Sequence, residues 1–258
     1  MFIPLHDANS LKHIKLQYVT VSLIGINILV WLVVGAFSSE QQASAAVLGL
    51  GFIPAVLFDY ASLDPALVLV PKDATIFTYA FLHLSFWHLA SNMVFLWVFG
   101  DNVEDAFGHL GFLIFYLACA AAGALLHGFI APQSRGPLIG ASGAVSGVVA
   151  AYLLLHPRVR VWVLVFMRIP VPLPAFIPLA LWVGQQFVML LLSPEESVSW
   201  AAHVGGILTG AILVIFFRRS GVPLFDRTLV TPRAVQHKNQ GLQDAGVSQT
   251  ERPSDSIP

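Results

Sequence analysis

Three observations predict an all-α polytopic membrane protein with six transmembrane helices. First, 57% of the 258 residues are hydrophobic and only 10% are Asp, Glu, Lys or Arg, against about 25% charged in an average soluble domain. The mean hydropathy is +0.77, and so few charges cannot cover a soluble globule of this length. Second, the apolar residues gather into six runs near the roughly 20 residues that cross a hydrocarbon core as helix. Third, Lys and Arg collect on one side of those six runs. A net charge of −1 excludes electrostatic binding of nucleic acid. Cys119 is the sole cysteine, which excludes an intrachain disulfide and a cysteine-based metal site.

Span one is expected over residues 18–37. The second apolar stretch, 75–100, carries His83, His88 and Asn92, and its membrane helix is expected to begin near Phe86. Span three covers 111–130. Span four covers 142–156 and is closed by Pro157, since proline cannot continue a helix. Span five covers 175–192 after the Pro-rich stretch 169–174. Span six covers 200–217 and is closed by Arg218 and Arg219. With six spans, eleven of the thirteen Lys and Arg fall on one side, and only Lys72 and Arg135 on the other. By the positive-inside rule both termini are then cytoplasmic. The minimal six-span form and this bias give the expected location, a multi-pass protein of the cell membrane, the bacterial inner membrane, with an organelle membrane left open by the residues.

The domain reading follows. Residues 1–17 form a cytoplasmic segment without the charge pattern of a secretory signal. Residues 18–219 form the six-helix domain. Residues 220–258 form a cytoplasmic tail, polar and largely disordered toward its end. In the outside loop 38–74, the apolar stretch 45–58 is too short to cross and is expected as an interfacial helix.

Polar groups inside a bilayer are costly and mark function. No Asp or Glu occurs from Ala106 to Pro194. The segment holds instead Gly140-Ala-Ser-Gly143 at the start of span four. Ala202-His-Val-Gly-Gly206 opens span six, and His88 and Asn92 share one face of span two. By the topology all three starts lie at similar depth. Span four, 15 residues long, measures about 22 Å. Ser142 is therefore expected below the outer surface, with the preceding loop dipping into the membrane beside a wet cavity. A serine hydroxyl needs a base to become a nucleophile. His203 can serve, and Gly143-xxx-Gly147 and Gly206-xxx-Gly210 offer small faces on which two helices can meet. Asn92, His88 and the backbone N–H of Ser142 can donate to an oxyanion. No carboxylate completes a triad, so a Ser-His dyad is inferred.

These residues resemble the rhomboid family of intramembrane serine proteases, over roughly Tyr18 to Arg219. Gly-Ala-Ser-Gly at 140–143 is similar to the family's GxSG motif. His203 with Gly206 and Gly210 is similar to its final-helix histidine and GxxxG. His83, His88 and Asn92 are similar to its HxxxN with a preceding His. The resemblance implies a Ser142–His203 dyad and an oxyanion hole with His88 and Asn92. His83, Gly143, Gly147, Gly206 and Gly210 would be structural. It implies cleavage of transmembrane protein substrates within the lipid bilayer, with no metal or organic cofactor and no nucleic acid. Two departures stand out. Ser146 replaces the aromatic residue that many members place under the histidine, and the first loop lacks a Trp-Arg pair.

Competing readings are an inactive rhomboid-like protein that binds membrane clients, and a small transporter or channel. The client binder is disfavoured because Ser142 and His203 are both present. The transporter is disfavoured by the absence of carboxylates from spans three to five. No H-E-x-x-H occurs for a metalloprotease. His127 and His156 are read as interfacial, His109 as a turn residue without a role, Asp101, Glu104 and Asp105 as a solvated cluster or a cap at the start of span three, and His88 with Asn92 equally as an interhelical polar clamp.

Overall fold

The computed structural model describes residues 3–165, 168–192 and 199–226. The polar end of the expected tail, from 227 on, lies outside the described residues. The apolar spans appear as helices: α1 (Tyr18–Trp31, continuing through a π-helical turn Leu32–Ala36), α5 (Phe86–Phe107), α6 (His109–Ile130), α7 (Ser142–Leu155), α8 (Phe176–Leu192) and α9 (Trp200–Phe217). The first loop holds α2 (Glu40–Leu50) and α3 (Pro54–Leu57), and α4 (Thr75–Thr78) leads toward α5.

Residues 18–36, 109–130 and 200–217 are long and apolar enough to cross a membrane alone. The segment Lys72–Phe81 and α5, bent by 84°, make a fourth candidate as a broken span. α7 and α8 are shorter apolar helices. At 14 residues, α7 is about 21 Å long, and its middle is buried on every side from Gly143 to Tyr152. A helix apolar all round belongs at the centre of a bundle, and α7 occupies it, between α5, α6, α8 and α9.

The outer helices show the burial pattern of a membrane protein. α1 buries only Thr20, Leu23 and Asn27, while Val21, Ile26, Leu29 and Val33 face outward. α8 buries Pro178, Leu179 and Gln186 and exposes Leu181, Val188, Leu191 and Leu192. Thr20, Asn27 and Gln186 turn in while most of the outward residues are aliphatic, which lipid permits and water would penalise.

α7 and α9 touch through backbone. A Cβ on Gly206 would sit on the carbonyl of Gly143, and one on Gly210 would sit on Gly147. The two GxxxG faces therefore interlock with no side chain between them.

The all-α expectation needs one addition. β1 (Ile3–Asp7), β2 (Arg160–Val165) and β3 (Ile169–Pro174) form an antiparallel sheet in the order β1-β2-β3. Pro170, Pro172 and Pro174 alternate along β3. A strand with no N–H at every second position can pair on one side only, so it must be an edge. The missing donors also blunt that edge against further pairing. β2 and β3 form a local hairpin, whereas β1 pairs with β2 from more than 150 residues away, and such pairing is set by tertiary contact.

A second expectation is overturned. Asp101, Glu104 and Asp105 are not a solvated cluster. Glu104 is fully buried and Asp105 nearly so. Glu104 accepts from the Val19 N–H (3.0 Å), the Thr20 N–H (2.8 Å) and the Thr20 hydroxyl (2.7 Å), and also pairs with His109. Asp105 accepts from the N–H groups of Lys12, His13 and Ile14. The first amides of a helix have no partner within it, and Glu104 supplies one for α1. The chain after α9 serves helix C-termini in the same way. Arg219 N–H donates to Ala106 O, Phe225 N–H to Leu154 O and Asp226 N–H to Leu155 O.

Beside this anchor, Asp7 accepts from the Tyr152 hydroxyl (2.6 Å) and from Asn102 Nδ2 (3.0 Å). Burial pushes its carboxyl up to about 7, with the Tyr152 hydrogen bond offsetting part of the rise and the nearby Asp101 adding to it.

Two outcomes are expected. Glu104→Ala strands the amide and hydroxyl donors of Val19 and Thr20 and should cost about 3–5 kcal/mol, read as loss of stability to unfolding in detergent; an unchanged stability would show the anchor to be dispensable. For Asp7, the folded state holds its proton more tightly than the unfolded chain. Its contribution is complete below the unfolded value near 4 and is lost as pH rises through about 7. Wild-type stability should therefore decline across that window, and Asp7→Asn should remove this part of the decline. Parallel pH profiles for the two proteins would count against it.

Candidate active site

The C-terminal ends of α5 and α7 meet the N-terminal segment, and the chain leaving α9 bonds to the same two ends, all at one face of the bundle. Their N-terminal ends therefore lie at the opposite face, and these ends carry His88, Asn92, Ser142 and His203.

α5 is started by Ser85, whose hydroxyl accepts from the His88 N–H at 3.1 Å. This sets the first turn and directs the 88/92 face toward the loop before α7. His83 is buried just ahead of it. Its Nε2 accepts from the Ala141 N–H at 3.3 Å and lies 3.0 Å from Asn92 Nδ2. Since the Ala141 N–H can only donate, this nitrogen is an acceptor, and the Asn92 amide also donates to it. His83 thus ties α5 to the residue directly before Ser142. The His83 and His88 rings meet edge-on with centroids 4.9 Å apart.

The loop entering α7 is held by backbone. Phe52 and Leu138 exchange N–H···O bonds, and the Gly140 N–H donates to Tyr79 O at 2.9 Å. Gly140 has φ +113°, which only glycine adopts without strain. A Cβ there would also strike the His88 ring. So the glycine two residues before Ser142 is required twice, by its backbone angle and by the imidazole packed on it. Tyr79 is a fully buried pillar beneath the site. Its hydroxyl donates to Ala120 O at 2.7 Å.

Ser142 is the first residue of α7 and is partly exposed; His203 lies in the first turn of α9 and is buried. Gly143, beside Ser142, faces the carbonyl of Ala202, beside His203. The glycine contact thus brings the two helix starts together. No hydrogen bond joins the Ser142 hydroxyl to His203 among the described residues. Catalytic hydrogen bonds are often longer in a protein without substrate. The Ser146 hydroxyl donates to the Ser142 carbonyl at 2.6 Å, so this side chain serves the backbone of α7.

Three residues absent from the sequence reading contact His203. Gln186 Oε1 lies 2.7 Å from His203 Nδ1. The Trp182 ring lies near-parallel to the imidazole at 28° with centroids 6.3 Å apart, and Trp200 meets it at 89° and 5.8 Å. The signal for Gln186 was available: Gln185-Gln186 are the only amide side chains in an otherwise apolar span, and such residues tend to face a partner. His127, read as interfacial, pairs through Nδ1 with the Ser199 hydroxyl at 2.8 Å. Ser199 is also the N-cap of α9 and accepts from Ala202 N–H, so this pair ties the end of α6 to the turn that carries His203.

A family model of the rhomboid domain matches residues 72–220. Rhomboid-like protein 12, mitochondrial, of Arabidopsis thaliana is 31% identical over 154 residues, covering 54% of this chain and 44% of that protein. Rhomboid protein 1, mitochondrial, of Saccharomyces cerevisiae is 33% identical over 147 residues, covering 55% and 41%. The human presenilin-associated rhomboid-like protein, mitochondrial, is 27% identical over 146 residues, covering 53% and 36%. The chain spans less than half the length of each of these relatives.

The expectation of a bacterial inner membrane with both termini cytoplasmic is corrected here, because all three relatives are mitochondrial proteins. A partition of Lys and Arg orders the two sides of a bilayer and carries no information about which bilayer it is. The membrane-embedded character stands on the apolar helices. The domain match covers more than half of the chain and falls on a membrane bundle whose helix starts converge, and on these grounds the chain belongs to the rhomboid family.

Proposed function

We propose that this chain is an intramembrane serine endopeptidase that hydrolyses peptide bonds in or near transmembrane segments of other membrane proteins. Residues 18–219 would form the protease domain, with 1–17 and 220–258 as flanking segments. The observation that carries the reading is the glycine-mediated approach of α7 and α9, with Gly143 opposite Ala202. Family membership, the buried Asn92 on α5 and the buried His83 just ahead of it add to it.

In this mechanism His203 takes the Ser142 proton as Oγ bonds to the scissile carbonyl carbon. The imidazolium then returns the proton to the amine nitrogen as the C–N bond breaks. Water, deprotonated by the same imidazole, then bonds to the acyl carbon, and the imidazolium returns that proton to Ser142 Oγ as the ester C–O bond breaks. The Ser142 backbone N–H, His88 and Asn92 would donate to the oxyanion. Asn92 commits one N–H toward His83 and has a second to offer. His83, Gly143, Gly147, Gly206 and Gly210 would hold this geometry. No metal or organic cofactor is required by these steps. The substrate must enter from the bilayer and expose extended backbone, because a helical peptide bond is protected by its own hydrogen bonds.

Ser142→Ala removes one hydroxyl and should abolish both cleavage of a model transmembrane substrate and labelling by a fluorescent fluorophosphonate, with the fold intact. Retained cleavage would end the dyad assignment. A folded wild-type protein that neither cleaves nor labels in bilayers would favour the client-binding reading. Asn92→Ala should lower kcat by about 10²-fold, the scale of one oxyanion donor; an unchanged rate in a folded variant would leave Asn92 a purely structural role.

A further inference from the structure

We infer that Gln186 is a positioning residue that holds His203 in the one neutral tautomer able to act as a general base. The inference rests on the Ser142–His203 reading above and adds a third member to it, from α8.

The assignment follows from counting donors and acceptors. Gln186 is almost fully buried, at 2% exposure. Its Nε2 donates to the Trp182 carbonyl at 2.9 Å. A carbonyl oxygen can only accept, so this bond decides which end of the amide is nitrogen. The other end, Oε1, lies 2.7 Å from His203 Nδ1. That oxygen can only accept in turn, so Nδ1 must carry the hydrogen. A neutral imidazole has one ring proton, and with it on Nδ1 the lone pair belongs to Nε2. Nε2 is then the atom that receives the Ser142 proton as the Oγ–C bond forms. The resulting imidazolium keeps its Nδ1–H on Gln186 and returns the Nε2 proton to the leaving amine nitrogen. Gln186 gains and loses no proton at any step.

The amide suits its surroundings. A carboxylate in this position would be an ionised group in a low-dielectric core with no cation beside it, a costly arrangement. A neutral amide fixes the tautomer without that charge. Trp182 and Gln186 are four residues apart and share one face of α8. One lies near-parallel to the imidazole, and the other bonds its edge. Trp200 closes a further side of the ring. These contacts to the histidine come from α8 and α9, while Ser146, at the position where many members of the family place an aromatic residue, is occupied with the Ser142 carbonyl.

The test is nitrogen NMR of the full chain with ¹⁵N-labelled histidine, in detergent and without substrate, His203 being assigned from the signals lost in His203→Ala. Wild type should show His203 protonated at Nδ1 and bare at Nε2. Gln186→Leu should lose this preference and lower kcat by about 10²-fold with little change in KM, the scale of general-base assistance. Gln186→Glu keeps an acceptor oxygen and should restore the Nδ1–H form. A wild-type His203 protonated at Nε2, or a tautomer unchanged in folded Gln186→Leu, would overturn the inference. The wild-type spectrum decides even if Gln186→Leu does not fold. Because the spectrum needs no activity, failure here is distinguishable from failure of the protease reading, which Ser142→Ala tests alone.

Discussion

The structure depends on one contact, the approach of α7 and α9 through glycine. A single methyl group on Gly206 would overlap the Gly143 carbonyl, and one on Gly210 would overlap Gly147. In lipid the hydrophobic effect gives helices no reason to associate, so close packing and buried polar bonds must do so. Two glycine faces let backbones pack directly. The same contact sets the distance between the starts of the two helices, so the stability of the bundle and the geometry of its polar end have a common origin.

The two ends of the bundle use polar groups in different ways. At the end carrying the sheet, the carboxylates of α5 act as helix caps placed in trans. Glu104 receives the orphan amides of α1, and Asp105 receives three amides of the N-terminal segment. The returning chain after α9 supplies N–H groups to the last carbonyls of α5 and α7. Each is a backbone group that lipid would leave unsatisfied at a cost of several kcal/mol. At the opposite end the buried polar groups are imidazoles, amides and hydroxyls, arranged as pairs: His83 with Asn92, His127 with Ser199, His203 with Gln186. Among the described residues the buried carboxylates, Asp7, Glu104 and Asp105, lie at the end that is built as an anchor.

This division bears on chemistry. A serine protease in water supports its histidine with a carboxylate, and the ion pair is stabilised by surrounding dipoles and solvent. Inside a bilayer the same carboxylate would be difficult to keep ionised. An amide on a neighbouring helix can hold the imidazole by geometry alone. Two indole rings then limit its rotation without adding charge.

Much of the architecture was legible in the sequence because its signals are local. Six apolar runs, two of them closed by proline or arginine, mark α1 and α5 to α9 within a residue or two at most ends, since helix length in a membrane is set by the bilayer. The candidate residues on α5, α7 and α9 were legible for a related reason: polar side chains are rare enough in apolar spans to be conspicuous. What the sequence could not decide was partnership across the chain. Glu104 and Asp105 read as solvated acids, because burial depends on the amides of residues 12–20 folding back over them. The sheet was hidden because β1 pairs with a strand more than 150 residues away, and in the local β2–β3 hairpin the prolines at every second position of β3 disguise the strand. Gln186 stood in plain view in an apolar helix, but only the tertiary structure decided that its oxygen meets His203. Sequence determines where a polar group sits along its own helix; which neighbour satisfies it is a property of helix packing, since the partner comes from a helix that sequence order leaves unspecified.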